Sequence, residues 1–412
     1  MAQRRLLQFG RKFAFPITAS GAGLYLYQLS NMPPPPQPPT LTRADKSTNR
    51  DHHDGNRFTN PWESAHQPSA LDTIKMLLEN KLGKAEAAIT ESTKPQTVEK
   101  MQWDIINTPS KAGDGAVVVT WIGHACALVQ VNGFNILFDP IFSDRCSPLS
   151  FAGPKRYTEP PCKLDQLPRI DAVIISHNHY DHLDAPTIKT LAHQYPDAKF
   201  YVPLGNKAWF NGTVKQDRVI EMDWWDHVTI SLDASRALKI TCTPCQHFSG
   251  RGLLDRNKTL WASWCVEGIQ DGSRRGNVYF GGDTGYRAVP PGVGNKEYDE
   301  DYLDSLPHCP AFKEIGEKQG PFDLALIPIG AYSPRWFMST IHCSPEDAVR
   351  VHEDVKSKRS IGIHWGTFVL TDEDVSEPPR RLRDAMKKRG HNEDDFSVLK
   401  LGETLVIPPP SN

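Results

Sequence analysis

Asp171-Ala172-Val173-Ile174-Ile175-Ser176-His177-Asn178-His179-Tyr180-Asp181-His182 is the stretch that decides the fold. Its first half is short, β-branched and uncharged after Asp171, and reads as a buried strand. Its second half sets three imidazoles and a carboxylate within six residues. These four side chains therefore sit on the loop at the carboxyl end of that strand. The spacing lets His177 and His179 converge on one cation while Asp181 and His182 serve a second. Neutral imidazole and carboxylate suit zinc, and iron or manganese accepts similar ligands. Four ligands at this spacing behind such a strand argue against a polar loop that merely happens to be rich in histidine.

The same arrangement recurs three times downstream. The extended run Leu238 to Gln246 ends in His247, Val278 to Gly282 ends in Asp283, and Ser360 to Ile363 ends in His364. Taken singly, a histidine after a strand is more often a structural residue than a ligand; here the set and its order carry the weight. Seven residues emerge as ligands: His177, His179, Asp181, His182, His247, Asp283 and His364. Two metal sites with three terminal ligands each use all seven if Asp283 bridges, because a carboxylate has two oxygens to offer. His52, His53, His66, His193, His227, His308, His352 and His391 lie among polar neighbours in sequence and read as surface. His124 reads as a strand-end residue in preference to a further support for a ligand. Asp139, in Phe138-Asp139-Pro140, reads equally as a support for a ligand histidine and as a turn residue before proline.

These features resemble the metallo-β-lactamase superfamily. The flanking blocks narrow the resemblance to its N-acylphosphatidylethanolamine-hydrolysing phospholipase D group: Thr120-Trp-Ile-Gly-His-Ala125, Phe138-Asp-Pro-Ile-Phe142, Gly153-Pro-Lys-Arg156, Asp223-Trp-Trp225, Gly282-Asp-Thr-Gly-Tyr286, Ile327-Pro-Ile-Gly-Ala-Tyr332, Pro334-Arg-Trp-Phe-Met338 and Ile363-His-Trp-Gly-Thr-Phe368. The likeness runs from about Trp103 to about Gly402. It implies an α/β fold, the four-layer αββα sandwich, which the mixture of strand and helix signals also fits. It implies hydrolysis of N-acylphosphatidylethanolamine to N-acylethanolamine and phosphatidic acid, a phospholipid membrane as partner, and a homodimer. It places Tyr180 and His342 near the substrate head group. The expected cofactor is two Zn(2+), with iron or a mixed pair also compatible. The expected chemistry is attack on phosphorus by a hydroxide bridging two metals about 3.5–4 Å apart, with Asp181 and Asp283 as the catalytic carboxylates. No His-Lys-Asp signature of the covalent phospholipase D class is present. The competing enzyme reading keeps the metals and makes the chain a lactonase or thioester hydrolase of a small substrate. A redox diiron protein and a non-catalytic tethered binding protein are the other classes; an intact ligand set argues against the last.

Composition bounds the rest. The chain has 412 residues, 39% hydrophobic content and a net charge of −2 from 47 basic and 49 acidic residues. That balance supplies no field for nucleic acid. Eight scattered cysteines form no disulfide framework, and Cys242-Thr-Pro-Cys245 reads as two packed thiols on opposite faces of an extended segment. Residues 1–31 are basic and acid-poor, then apolar, and read as a mitochondrial targeting segment or a short membrane anchor. Residues 32–60 read as a Pro-rich disordered linker, with few hydrophobes from Thr40 to Thr59. The hydrolase domain then spans 61–412. Within it, Leu71, Ile74, Leu78 and Leu82 mark an amphipathic helix, Ser344-Pro-Glu-Asp347 marks a capping box, and the polar stretch between Asp283 and Phe322 reads as a surface insertion. The Trp-rich blocks read as core, with some ring faces left for acyl chains.

Overall fold

Side chains in a strand alternate between its two faces, so a strand buried on both sides feeds two packing layers at once. Three parallel neighbours, β6 (Phe134–Phe138), β7 (Ala172–Ile174) and β8 (Lys199–Pro203), show this directly. Phe134, Ile136, Phe138, Ala172, Ile174 and Tyr201 enter the central core, while Leu137, Val173, Phe200 and Val202 enter an outer one. The computed structural model describes residues 39–44, 51–66, 69, 71–72, 75–76, 97–252 and 254–409. The expectations for residues 1–31, and for Ile74, Leu78 and Leu82, fall outside these.

The three strands belong to a seven-stranded sheet of order β17-β4-β5-β6-β7-β8-β9, in which β4 is Val117–Gly123, β5 Cys126–Val131, β9 Val219–Met222 and β17 Thr404–Ile407. The hairpin from β5 to β6 turns at Asn132 and Gly133, both at positive φ, as a two-residue turn requires. Facing it is an eight-stranded sheet of order β1-β10-β11-β12-β13-β14-β15-β16. Its strands are β1 Thr40–Thr42, β10 His227–Ser231, β11 Arg236–Thr243, β12 Ser263–Gln270, β13 Ser273–Phe280, β14 Leu324–Pro328, β15 Ser360–Ile363 and β16 Phe396–Ser397. Helix α1 (Ala185–Gln194) packs Ile188 and Leu191 into the outer core of the first sheet. Helices α2 (Ala311–Lys318), α3 (Pro345–Asp354) and α4 (Glu377–Lys388) cover the second with Phe312, Ile315, Val349, Leu382 and Met386. The layers run αββα, as the resemblance implied.

Several local expectations change. The segment from Thr40 to Thr59, expected to be disordered, supplies β1 along the edge of β10 and a hairpin of β2 (His53–Asp54) and β3 (Arg57–Phe58). Few hydrophobes suffice there, because Leu41 and Phe58 dock on a core already formed. His52 and His352 are buried, not surface residues. His52 lies against Trp224, with ring centroids 4.1 Å apart, and bonds Asp223 at 2.8 Å; His352 bonds Ser360 at 2.7 Å. Their partners are distant in sequence, so polar neighbours along the chain gave the wrong signal. Ser344 does cap α3 by accepting from the Asp347 amide, but the Asp347 carboxylate does not close the box. It is buried between Arg287, at 2.7 Å, and Arg335. The stretch after Asp283 is largely exposed from Pro290 to His308, as a surface insertion would be, but it is anchored at its start and through one short helix. Thr284, Tyr286, Arg287 and Val289 are buried, and the short helix Glu300–Asp304 pairs with Arg350. All eight cysteines are free and buried, and Trp224, Trp261 and Trp264 are core.

One glycine is demanded by close approach. Gly282 sits at φ +58°, and a Cβ there would fall 2.5 Å from the Ser176 Cβ. It lets the chain after β13 press against the loop after β7. Gly282→Ala is expected to cost about 1–3 kcal/mol and to lower metal content along with melting temperature. A variant with unchanged melting and metal content contradicts that close fit.

Candidate metal centre

Each of the seven residues follows the carboxyl end of a strand: His177 to His182 after β7, His247 after β11, Asp283 after β13 and His364 after β15. The two sheets bring these ends together at one edge of the sandwich. His177 Nε2 lies 2.7 Å from His179 Nδ1, and His247 Nε2 lies 3.3 Å from the same atom. Asp181 Oδ2 lies 3.3 Å from His182 Nε2 and 3.4 Å from His364 Nε2. Asp283 stands between the two groups. Its Oδ2 is 3.0 Å from His182 Nε2 and 3.9 and 3.8 Å from His177 and His247, while Oδ1 is 3.1 Å from His364.

The far sides of three of these rings are already committed, which fixes the nitrogens that face inward. His182 Nδ1 lies 2.6 Å from Asp139 Oδ2, His247 Nδ1 lies 2.8 Å from the Ile341 carbonyl, and His177 Nδ1 lies 2.9 Å from Ser176 Oγ. Asp139 also accepts from the Ser176 amide and hydroxyl, so it grips the ligand loop at two points. By contrast, His182 Nε2, His364 Nε2 and Asp283 Oδ1 are buried without a hydrogen-bond partner. A polar atom left so costs on the order of 1–3 kcal/mol. Three inward-facing nitrogens in one group, with nitrogens and carboxylate oxygens in the other, fit two divalent cations of the zinc or iron type.

Electrostatics divides the cluster in the same way. Burial drives His177 and His247 well below the ordinary imidazole range and His179 down to about 4, so all three are neutral ligands. Burial acts on His182 and His364 in the same sense, but the carboxylates of Asp283 and Asp181 outweigh it. His182 is pushed well up and His364 to about 9. Burial raises Asp283 and Asp181 too, yet the surrounding imidazoles hold both well below the usual carboxylate range. The buried carboxylates thus attract positive charge, which metal cations supply.

Three residues look different from their sequence reading. His124 is buried at the end of β4 at φ 55°, and its Nε2 lies 2.8 Å from Asp181 Oδ2. It holds Asp181 and is not an ordinary strand-end residue; the strand-to-ligand pattern already seen four times was the available signal. Arg251 was not singled out at all. It donates to the carbonyls of Asn178 at 2.7 Å and Leu183 at 2.8 Å, clamping both ends of the ligand motif. Tyr180 donates its hydroxyl to the Arg251 carbonyl at 3.0 Å, and its ring lies 3.8 Å from the Arg251 guanidinium. It braces loops, and it does not line the cavity above the cluster. His342 does line that cavity, with its ring 5.1 Å from His247 and 5.2 Å from His364. The cavity measures about 330 Å³, with His179, Asp181 and Asp283 at its floor and Phe248, Phe337, Met338 and Leu370 on its walls.

Replacing Asp139 by Asn leaves the shape but weakens the support of His182. Metal affinity, measured by competition with a chelator, is expected to fall about 10- to 100-fold with little change in melting of the metal-free protein. Unchanged affinity contradicts the supporting role.

Comparison with known proteins agrees with this geometry. The description "Beta-lactamase superfamily domain" matches residues 134–365. The N-acyl-phosphatidylethanolamine-hydrolyzing phospholipase D 1 of Caenorhabditis elegans is 42% identical over 296 residues, 70% of this chain and 76% of that one. An uncharacterized protein of Mycobacterium bovis is 42% identical over 66% of this chain and 64% of its own length. The mitochondrial N-acyl-phosphatidylethanolamine-hydrolyzing phospholipase D of Saccharomyces cerevisiae is 33% identical over 69% of this chain and 55% of its own length. The chain belongs to the beta-lactamase superfamily and, within it, to the N-acyl-phosphatidylethanolamine-hydrolyzing phospholipase D family.

Proposed function

We propose that this protein is a membrane-associated, metal-dependent phosphodiesterase that hydrolyses N-acylphosphatidylethanolamine to N-acylethanolamine and phosphatidic acid. The observation that carries the reading is the placement of Asp283 between two ligand groups at the floor of an apolar-walled cavity. His177, His179 and His247 would hold one cation, Asp181, His182 and His364 the other, and Asp283 both. Bound there, two divalent cations activate water near neutral pH and neutralise charge on a phosphoryl group under attack. His124 keeps Asp181 in position, and Asp139 does so for His182. The walls of Phe248, Phe337, Met338 and Leu370 offer an acyl chain a dry surface. His342, buried with an unpartnered Nδ1, is placed to hydrogen-bond an oxygen of the head group. No covalent enzyme intermediate is needed.

A membrane setting follows from the substrate, since such a lipid does not leave a bilayer freely. The basic, acid-poor start of the chain and the mitochondrial yeast relative support a mitochondrial membrane. Among the described residues no helix is long and apolar enough to cross one. A homodimer is the assembly that goes with this reading.

The test incubates the full-length protein with vesicles containing N-acylphosphatidylethanolamine, with and without chelator, and identifies both products by mass spectrometry. Both products are expected, lost on chelation and restored by zinc. Asp283→Asn is expected to lower turnover by orders of magnitude and to reduce bound metal. Normal turnover with full metal in that variant, or lactone hydrolysis in place of lipid hydrolysis, overturns the assignment.

A further inference from the structure

Residues 39–44 and 51–66 form a strap that follows β10 and meets the turn after β9 at two carboxylates, Asp223 and Asp226. Asp226 accepts from the Arg43 guanidinium at 2.6 Å and from the Ala44 amide at 2.7 Å, a charge-assisted anchor. Asp223 is met differently. His52 Nε2 lies 2.8 Å from its Oδ1 and His53 Nε2 lies 2.9 Å from its Oδ2. Two consecutive imidazoles thus converge on both oxygens of one buried carboxylate. Successive side chains of an extended chain point to opposite faces. The turn at Asp51 and His52, just before β2, brings these two to the same side. The catalytic chemistry uses none of the three.

The trio is built like a cation site. Its three ligand atoms lie within 4.8 Å of one another. The His52 and His53 ring centroids are 4.5 Å apart, against 4.4 Å for His177 and His179 and 4.6 Å for His177 and His247. Aromatic neighbours fix both rings: Trp224 stacks on His52 at 4.1 Å, and Phe58 packs crosswise on His53 at 5.1 Å. A hydrogen bond from the buried His52 alone would seat the strap. A second one, from a His53 side chain that is 34% exposed, adds only about 0.5–1.5 kcal/mol. It does complete the set of two imidazoles and one carboxylate that zinc-type divalent cations take. The same exposure offers water a fourth coordination position and gives an ion a path in.

We propose that His52, His53 and Asp223 bind a third divalent cation of the zinc class, which pins the N-terminal strap to the hydrolase body. From this point the strap continues to the catalytic centre. Trp62 stacks on Trp224 at 5.6 Å, Asn60 donates to the His247 carbonyl at 2.7 Å, and Ser64 donates to the Gln246 side chain at 2.6 Å. Pinning the strap therefore steadies the backbone that carries one catalytic ligand. With three protein ligands and an open edge, the site gives up its ion before the buried cluster does. The inference goes beyond lipid hydrolysis and does not rest on it.

The test dialyses the full-length protein and its His53→Gln variant against zinc and counts bound zinc by elemental mass spectrometry. The unaltered protein is expected to hold three ions per chain, one of which a weak chelator removes while two remain. Glutamine keeps a hydrogen-bond donor but is a poor zinc ligand, so the variant is expected to hold two. With zinc at about ten times the dissociation constant of the third site, trypsin cleavage after Arg57 is expected to slow about ten-fold. The same zinc leaves cleavage of His53→Gln unchanged. Two ions in the unaltered protein overturn the proposal and leave the trio a hydrogen-bonded peg. Three in the variant overturn it by placing the ion elsewhere. A third ion that leaves cleavage at Arg57 unchanged overturns the pinning. Anomalous diffraction at the zinc edge reads the site without any variant: a peak beside Asp223 is expected, and none at saturating zinc overturns the proposal. Ion counts and cleavage are read without substrate, so they stand or fall separately from the lipid assignment.

Discussion

The Asp283 carboxylate, buried among imidazoles at the meeting edge of two sheets, is the constraint around which the molecule is arranged. A carboxylate withdrawn from water is costly unless countercharge surrounds it. Here the surrounding imidazoles come from three separate strand ends, with the carboxylate itself on a fourth, and each must arrive within a few ångströms. That requirement explains Gly282, whose missing Cβ lets the chain just before Asp283 press against Ser176. It also goes with the largely apolar strands β4 to β8 and β14, which form the rigid double sheet that presents the ligands at its rim.

Around the ligands lies a second set of contacts that decides which atom of each ring faces inward. Asp139, Ser176 and the Ile341 carbonyl engage the outer nitrogens of His182, His177 and His247. Arg251 holds the backbone of the ligand loop at Asn178 and Leu183, and Tyr180 ties that loop to its neighbour. Further out, Asp347 between Arg287 and Arg335 joins the chain after Asp283 to α3, and Arg335 also reaches the His342 carbonyl at 3.4 Å. The N-terminal segment takes part as well, since Asn60 donates to the His247 carbonyl at 2.7 Å and Ser64 to Gln246 at 2.6 Å. Rigidity is passed inward from these buried polar pairs.

How much of this was legible along the chain follows from which partners are local. His177 to His182 announce themselves by spacing, and His247, Asp283 and His364 by standing at the ends of apolar runs. The αββα order could be read from the same alternation of strand and helix signals. His124 escaped because its partner, Asp181, is fifty-seven positions away. Arg251 escaped because it acts on backbone carbonyls, which leave no trace in composition. His52 and the strand Thr40–Thr42 were misread because polar neighbours in sequence conceal a docking surface supplied by Trp224 and β10. Tyr180 was placed by resemblance near the head group, whereas its hydroxyl is spent on a loop carbonyl.

Anomalous diffraction from crystals of the metal-loaded protein bears on the central claim most directly. The account predicts two peaks at this cluster, one among His177, His179 and His247 and the other among Asp181, His182 and His364, with Asp283 reaching both. A single peak, or two peaks with Asp283 turned away from either, would contradict it.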